Sequence, residues 1–572
     1  MGLYDDASLI FLPSAGAGKD TKAYSVKPTD GKGDFTFSRG SNLTATRVGP
    51  TGLIEKSRVN WLLYSNSFDQ WTLDGSPTIT GGQEGYDGTN DAWKIYATAN
   101  ANGIRGSVPM ASDEVYAFSI YAKAGTANFL FLEFRTGVNV DNVNRIFDLQ
   151  NGTSNAWDYG APGIPVDVGM EDVGNGWWRI YIVVEGYMLS SDSIQIYGIV
   201  DNQFLNPTTN TYLYLQDAQF ESGLVVTDYI ETQATEVVAG LGENEPRFDY
   251  SDASCPSLLL EPQRTNHAWF SEHFTYRSWI NENNLIRFEN VSKDTLSPDG
   301  YYNSTKLIKD GGGNPTLKSD SVITPGNQYV FSIYAKAGTS NYLRISIGDT
   351  DETIITLTNE WKRYKVSTAS SSADFVDIRL GDSASVGDYV YIWGAQIEDG
   401  SYETSYIPNH YNWTVTRTVD NCENTNLSLL SQTSATYFFD ITPNGLSSLN
   451  ISDIRGNGST NDRILLQTGN NGALRVVVRA NSVSVVDSNI SGVFNIGQRT
   501  KIALKYTPTN VSVFIDGQPK LNSNVSVSFL NPIDWINLEG TATNNVESMN
   551  LNQFLFFPTD LSESDCISLT TP

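Results

Sequence analysis

The stretch Phe118-Ser-Ile-Tyr-Ala-Lys-Ala-Gly-Thr126 recurs without change as Phe331-Ser-Ile-Tyr-Ala-Lys-Ala-Gly-Thr339. An identical nonapeptide marks a duplicated structural unit. Phe118, Ile120 and Ala122 alternate with Ser119, Tyr121 and Lys123. That period of two predicts a half-buried strand, closed by a turn at Gly125-Thr126. The chain therefore carries one β module twice.

The match extends in both directions. Upstream, Glu55, Arg58, Asn60, Ser65, Phe68 and Trp71 return as Glu261, Arg264, Asn266, Ser271, Phe274 and Trp279, and Asp87-Gly88 returns as Asp299-Gly300. Downstream, Trp177 and Arg179 return as Trp361 and Arg363, and Gln219, Glu221, Thr227, Tyr229 and Ile230 as Gln396, Glu398, Thr404, Tyr406 and Ile407. The offset rises from 206 (Glu55 to Glu261) to 213 (Phe118 to Phe331) and falls to 177 (Tyr212 to Tyr389), so copy one holds an insert around residues 139–174. Its Asn, Gly, Pro and Asp content predicts surface loop, which a core tolerates at little entropic cost.

A chain of 572 residues is too long for one core and predicts about three to four domains. Abundant aromatics (29 Tyr, 25 Phe, 12 Trp), few charges and no long amphipathic pattern point to an all-β protein. The expected order is an N-terminal segment over 1–58, a jelly-roll module over 59–232, a linker with short strands over 233–265, a second module over 266–410, and a third β-sandwich over 411–572. In the first segment Leu9–Leu12 and the stretch ending at Phe37 read as short strands that pack on the first sandwich or on a partner. In the third, Asp516-Gly517 directly after Val511–Ile515 is a hairpin signal.

The net charge of −27 argues against nucleic acid and anionic membrane as partners. No apolar run reaches membrane-span length, and the start of the chain lacks the basic region of a secretory signal. Cys255, Cys422 and Cys566 form neither a disulfide framework nor a zinc pattern, consistent with folding in a reducing cytoplasm.

Candidate chemistry is sparse. His267, His273 and His410 lack a nucleophile motif, and Glu221 and Glu398 recur in both copies, which favours a fold role over a catalytic acid pair. No catalytic residue, metal ligand or cofactor is assigned. Whether calcium sits near Asp87 or Asp299 is left open, since Asp-Gly pairs are mostly turns. Aromatics that one copy has and the other lacks are the carbohydrate-binding candidates: Trp93, Trp157, Tyr159, Trp178 and Trp393. A flat apolar ring with a polar edge matches a sugar's C–H face and hydroxyl rim. The alternative is that these rings pack under the inserted loop or at a subunit interface.

Phe35-Thr-Phe-Ser-Arg39, Thr44-Ala-Thr-Arg47, Gly52-Leu-Ile-Glu55, Pro246-Arg-Phe-Asp-Tyr250, Leu258-Leu-Leu-Glu261 and Arg264-Thr-Asn266 resemble blocks of a family of tailed-phage virion proteins with carbohydrate-binding-module-like sandwiches. Lys501–Tyr506, Phe514-Ile-Asp-Gly517 and Phe557–Asp565 resemble the concanavalin/laminin-G-like domains that end many of them. The resemblance implies a non-enzymatic head- or tail-attached fibre or decoration subunit. It would be made in the host cytoplasm, released by lysis, displayed on the virion surface, attached to other virion proteins through residues 1–58, and homo-oligomeric. Host-glycan adhesion, a purely structural role and a glycan depolymerase are the functions left to separate.

Overall fold

The computed structural model of the chain describes all residues except 1, 16–17, 20, 41–42, 100–101, 112, 136–142, 156–164, 186–192, 200–209, 252–254, 283–284, 289–293, 320–322, 349–350, 370–373, 382–383, 448–449 and 539–546. It is an all-β molecule of three sandwiches. Among the described residues no helix is long and apolar enough to cross a membrane.

The two modules are built alike. Module 2 has two five-stranded antiparallel sheets, ordered (Trp279–Glu282)-(Thr316–Ser319)-(Val376–Leu380)-(Tyr342–Ile347)-(Asp351–Thr356) and (Leu285–Phe288)-(Thr305–Lys309)-(Tyr389–Asp399)-(Tyr329–Ala337)-(Lys362–Thr368). Module 1 repeats both orders and adds one edge strand to each, Thr153–Asn155 and Asp167–Gly174. Both additions come from the insert, so the expectation of plain loop there is corrected.

The repeated nonapeptide has a physical explanation. Phe118, Ile120 and Ala122 are fully buried between the sheets, as are Phe331, Ile333 and Ala335. Ser119 accepts a hydrogen bond from Arg179 at 3.2 Å and Ser332 one from Arg363 at 2.9 Å. Tyr121 and Tyr334 each lie 5.5 Å beneath the same guanidinium. Thr126 and Thr339 accept from the backbone N–H of Tyr212 and Tyr389 at 3.1 and 3.0 Å. The outer face is not open as a half-buried strand would leave it: Tyr86 stacks on Tyr121 at 3.7 Å, and both Ser119 and Tyr121 are buried.

The glycine is equally determined. A Cβ on Gly125 would lie 2.3 Å from the Tyr212 ring and 2.4 Å from its carbonyl oxygen, and Gly338 meets Tyr389 in the same way. Gly125→Ala is expected to cost about 1–3 kcal/mol through overpacking against backbone, read as a lowered thermal midpoint. An unchanged midpoint would show that this strand end yields.

The third sandwich is not a contiguous domain. Its strand Met549–Phe557 pairs along one edge with Leu258–Leu260 through residues 549–551, and with Leu9–Phe11 through residues 554–556. In the facing sheet, Phe35–Ser38 pairs with Asn421–Asn424. Leu9, Phe11, Phe35 and Phe37 sit in one core with Tyr437, Phe554 and Phe556, with Phe11 and Phe35 5.3 Å apart. The expectation that residues 1–58 pack on the first sandwich is thus corrected: their apolar strands complete the last one. The two modules are insertions in it. Arg58–Asn60 pairs antiparallel with Val237–Ala239, and Arg264–Asn266 with Val415–Arg417, so each insertion starts and ends at one point.

The predicted hairpin after Val511–Ile515 is present, with Asp516 and Gly517 both at positive φ (46° and 74°) as its two-residue turn requires. The C-terminal residues form the helix Glu563–Thr570, N-capped by Ser562. Its Cys566 packs on Phe438, Phe514 and Leu555 outside the sheet.

Candidate functional site

The repeated polar residues close each module. Asn60 donates to the Ala218 and Ile230 carbonyls and accepts from the Leu62 and Phe220 N–H groups. Asn266 makes the same four bonds to Ala395, Ile407, Ala268 and Ile397. Glu221 accepts from the Thr227 N–H and hydroxyl at 2.8 and 2.6 Å, and Glu398 from those of Thr404. Both carboxylates are spent on holding a loop.

The sugar-binding candidates are placed as follows. Trp393 is fully buried, 4.7 Å from Tyr406 and 5.5 Å from Tyr334, covered by Ile54 of the hairpin that precedes module 1; as a ligand contact it is corrected. Trp178 donates its indole N–H to the Leu149 carbonyl at 2.9 Å, and its ring is pressed by Gly152, where a Cβ would come within 2.3 Å. It therefore packs under the inserted hairpin. Trp93 donates to the Asn66 carbonyl at 2.9 Å and lies against Gly81 and Phe68. Trp157 and Tyr159 lie outside the described residues. Trp178 is thus unshared because it fills space under an insert that copy two lacks.

The two Asp-Gly positions differ. Asp299 is buried with Glu272, and the Lys56 ammonium reaches both, at 2.8 and 3.0 Å. Burial alone would lower the Lys56 pKa, but Asp299 and Glu272 outweigh it and hold it above the usual lysine value. At Asp87, the carboxylate accepts from Thr89 at 2.7 Å and from the Gln216 amide at 3.3 Å. Among the described residues no group of three or more His, Cys, Asp or Glu side chains is arranged to hold a metal.

Two of the three histidines, His273 and His410, lie at the junction of the modules. His273 is buried, with Nε2 3.3 Å from Glu185 of module 1, and burial, then His410 and Arg287, depress its pKa to about 3. His267 bonds Asp399 at 2.8 Å. His410 faces a cleft of about 400 Å³ between the modules, also lined by Lys56, Arg58, Trp61, Glu221, Glu272 and Tyr411.

A second depression opens on the other side of Trp61. This groove of about 440 Å³ is lined by Trp61, Leu63, Tyr64, Gln70, Trp71, Arg105 and Glu236, among others. Trp71 donates its indole N–H to the Tyr64 carbonyl at 3.1 Å, which fixes the floor. Arg105 bonds Asp74 at 2.7 Å and remains about one-third exposed.

The duplication shows what is unusual here. Leu63, Tyr64 and Gln70 stand where module 2 has Trp269, Phe270 and Tyr276. Tyr64 and Phe270 share a left-handed backbone (φ 53° and 47°). In module 2 this surface is consumed: Phe270 and Tyr276 pack on Val115, Ala117, Val183 and Leu224 of module 1, joined by half-buried Trp269. In module 1 the same surface is open, with Leu63 39% exposed. None of these groove residues was singled out from sequence as a ligand contact, although the signal existed in the repeat alignment.

No protein-family model and no curated protein matches the sequence. Among solved structures, the chain is similar to the CBM40 domain of the Ruminococcus gnavus IT-sialidase bound to α2,3-sialyllactose, at 15% identity and a TM-score of 0.23, over 26% of this chain and 91% of that one. It is similar to domain 4 of AbnA, an extracellular arabinanase from Geobacillus stearothermophilus in complex with arabinotriose, at 15% identity and 0.23, over 27% and 73%. It is also similar to a heptameric SAP-like pentraxin from Limulus polyphemus, at 14% identity and 0.21, over 24% and 69%. At these TM-scores the likeness carries nothing about ligand.

Proposed function

We propose that the chain is a non-enzymatic surface protein of a phage particle whose tandem modules hold host glycan, with the groove of module 1 as the binding site. The open groove carries this reading. Its counterpart in module 2 is buried as an interface, whereas module 1 leaves three aromatic rings and a guanidinium around a sugar-sized space. Such a space, apolar on its walls with a few convergent polar groups, is the usual form of a ligand site, and aromatic rings with a hydrogen-bonding rim suit a pyranose. The acidic surface fits a particle component that must resist self-association.

Residues 1–58 bring their apolar strands to the third sandwich, so attachment to other virion proteins falls to surfaces of the assembled body. Deleting that segment would unfold a sandwich as well as remove a tether.

The test is a glycan array probed with the full chain. Binding of one or more host-surface glycans is expected, and Arg105→Ala should weaken it about tenfold or more, the scale of a lost charge-assisted hydrogen bond, with the thermal midpoint monitored because Arg105 also pairs with Asp74. An array without binding, or binding untouched by Arg105→Ala, would remove the groove from consideration.

A further inference from the structure

We propose that the loop 408–413 carries a second carbohydrate subsite, a platform of Tyr411 and Trp413 that takes the C–H face of a pyranose; the assignment rests on the adhesion reading above but uses different residues. The Trp413 ring is 45% exposed and stacks on Tyr411 at 4.5 Å and 26°. Tyr411 in turn lines the inter-module cleft, so the platform borders a concave surface.

The loop is firmly built. Buried Asn409 accepts from the Tyr411 N–H at 2.9 Å and donates to the Trp413 and Ala268 carbonyls at 2.7 and 2.9 Å. The Tyr411 carbonyl accepts from the Phe270 N–H at 3.0 Å, and the Asn412 N–H donates to the Asp113 carbonyl of module 1 at 3.1 Å. Both modules therefore hold the backbone of this loop, with Trp413 at the surface. An indole held in the open forgoes the gain of burial, which a ligand face would restore.

The surroundings favour a sugar over a protein. Beside the two rings lie Asn412 and the ion pair of Asp113 with Arg277, at 2.8 Å and with the arginine side chain 67% exposed. A stable protein contact buries about 800 Å² per partner, far beyond the area of two rings. A pyranose covers one ring face and presents hydroxyls outward to groups of this kind. The equivalent stretch of copy one, Thr232–Glu236, has no aromatic residue, so the platform belongs to this junction alone.

The experiment uses the full chain labelled with 5-fluorotryptophan, with Trp413→Phe identifying the Trp413 fluorine resonance. Lactose, maltohexaose, cellohexaose and chitohexaose are the probes. At least one is expected to move that resonance saturably. Trp413→Ala should weaken the same sugar about tenfold, the scale of one lost stacking contact, without lowering the melting temperature, while Arg105→Ala leaves the shift in place. Absence of a saturable shift with all four sugars would overturn the platform, as would a shift that follows protein concentration instead of sugar, which marks a self-contact. Array binding lost in Arg105→Ala alone would sink the platform and leave the groove standing; loss of neither site's signal on mutation would sink both.

Discussion

Lys56→Met is expected to destabilise the part of the chain that contains module 2 by about 3–5 kcal/mol, because it leaves two buried carboxylates without their cation. Lys56 reaches from the hairpin before module 1 into module 2, where its ammonium lies 2.8 Å from Asp299 and 3.0 Å from Glu272. Glu272 also accepts from Tyr406 at 3.0 Å, and Asp299 from Ser297 at 2.6 Å, but neutral donors do not replace the charge. For a unit of 150–250 residues the loss corresponds to a fall of roughly 10 °C in its melting transition. The same substitution in a Glu272→Gln, Asp299→Asn background should cost far less, since no buried charge is stranded; that difference separates charge from packing. A fall of under about 2 °C in the single variant would mean that water reaches the carboxylates.

The pH dependence follows with a definite sign. Burial would raise the Asp299 pKa, but Lys56 outweighs it and holds the group below its ordinary value. A depressed carboxylate contributes stability above its unfolded pKa of about 3.9 and loses it as pH falls through the lower folded value. The penalty of Lys56→Met should therefore shrink on acidification, as the stranded carboxylates take up protons.

Asp420→Asn is expected to have an effect of the same order, about 3–5 kcal/mol, at the point where four parts of the chain meet. Asp420 accepts from Arg247 and from the Glu261 N–H at 2.9 Å, and lies 3.5 Å from Arg39. Glu261 takes Arg247 and Arg417 at 2.6 and 2.7 Å and the Ser405 hydroxyl at 2.6 Å. All three guanidinium groups are buried. Removing one carboxylate leaves three cations facing one, in a place where burial, then the neighbouring arginines against Asp420, already bring Arg39 down to about 10. The transition of the third sandwich should drop and broaden, while module 1, which supplies no group here, keeps its own.

Glu261 sets the acid limit of this cluster. Burial opposes its ionisation, yet Arg417 and Arg247 bring it to about 2, against about 4.3 in an unfolded chain. Its stabilisation is complete above about pH 4.3 and is lost as pH falls toward 2. Acid unfolding monitored at the third sandwich should fall in that window; a transition complete at pH 5 would contradict it.

Much of the architecture was legible in the repeat. The duplication of the module, the fold role of Glu221 and Glu398 and the Asp516-Gly517 hairpin all follow from local patterns. The destination of residues 1–58 was not legible, because Leu9-Ile-Phe11 says that a strand exists and nothing about its partner 545 positions away, as in Ile10↔Leu555. Asp299-Gly300 read as a turn or an ion site because its counter-charge comes from Lys56, across another domain boundary. A signal existed there too: Lys56 is an unshared charge in a shared block, with Pro262 at its place in the second copy. Trp413 lies six positions past Ile407, at which the close match between the copies ends.

The nested third sandwich also has a temporal consequence. During synthesis the strand Leu9–Phe11 leaves the ribosome hundreds of residues before Met549–Phe557, its only sheet partner among the described strands. Each inserted module can close as soon as its own last strand appears, whereas Leu9–Phe11, bridged locally through Ile10 to Lys27, must wait for the last strand to fill its other edge. Its brevity, three residues, limits the exposed edge it offers to wrong partners during that wait.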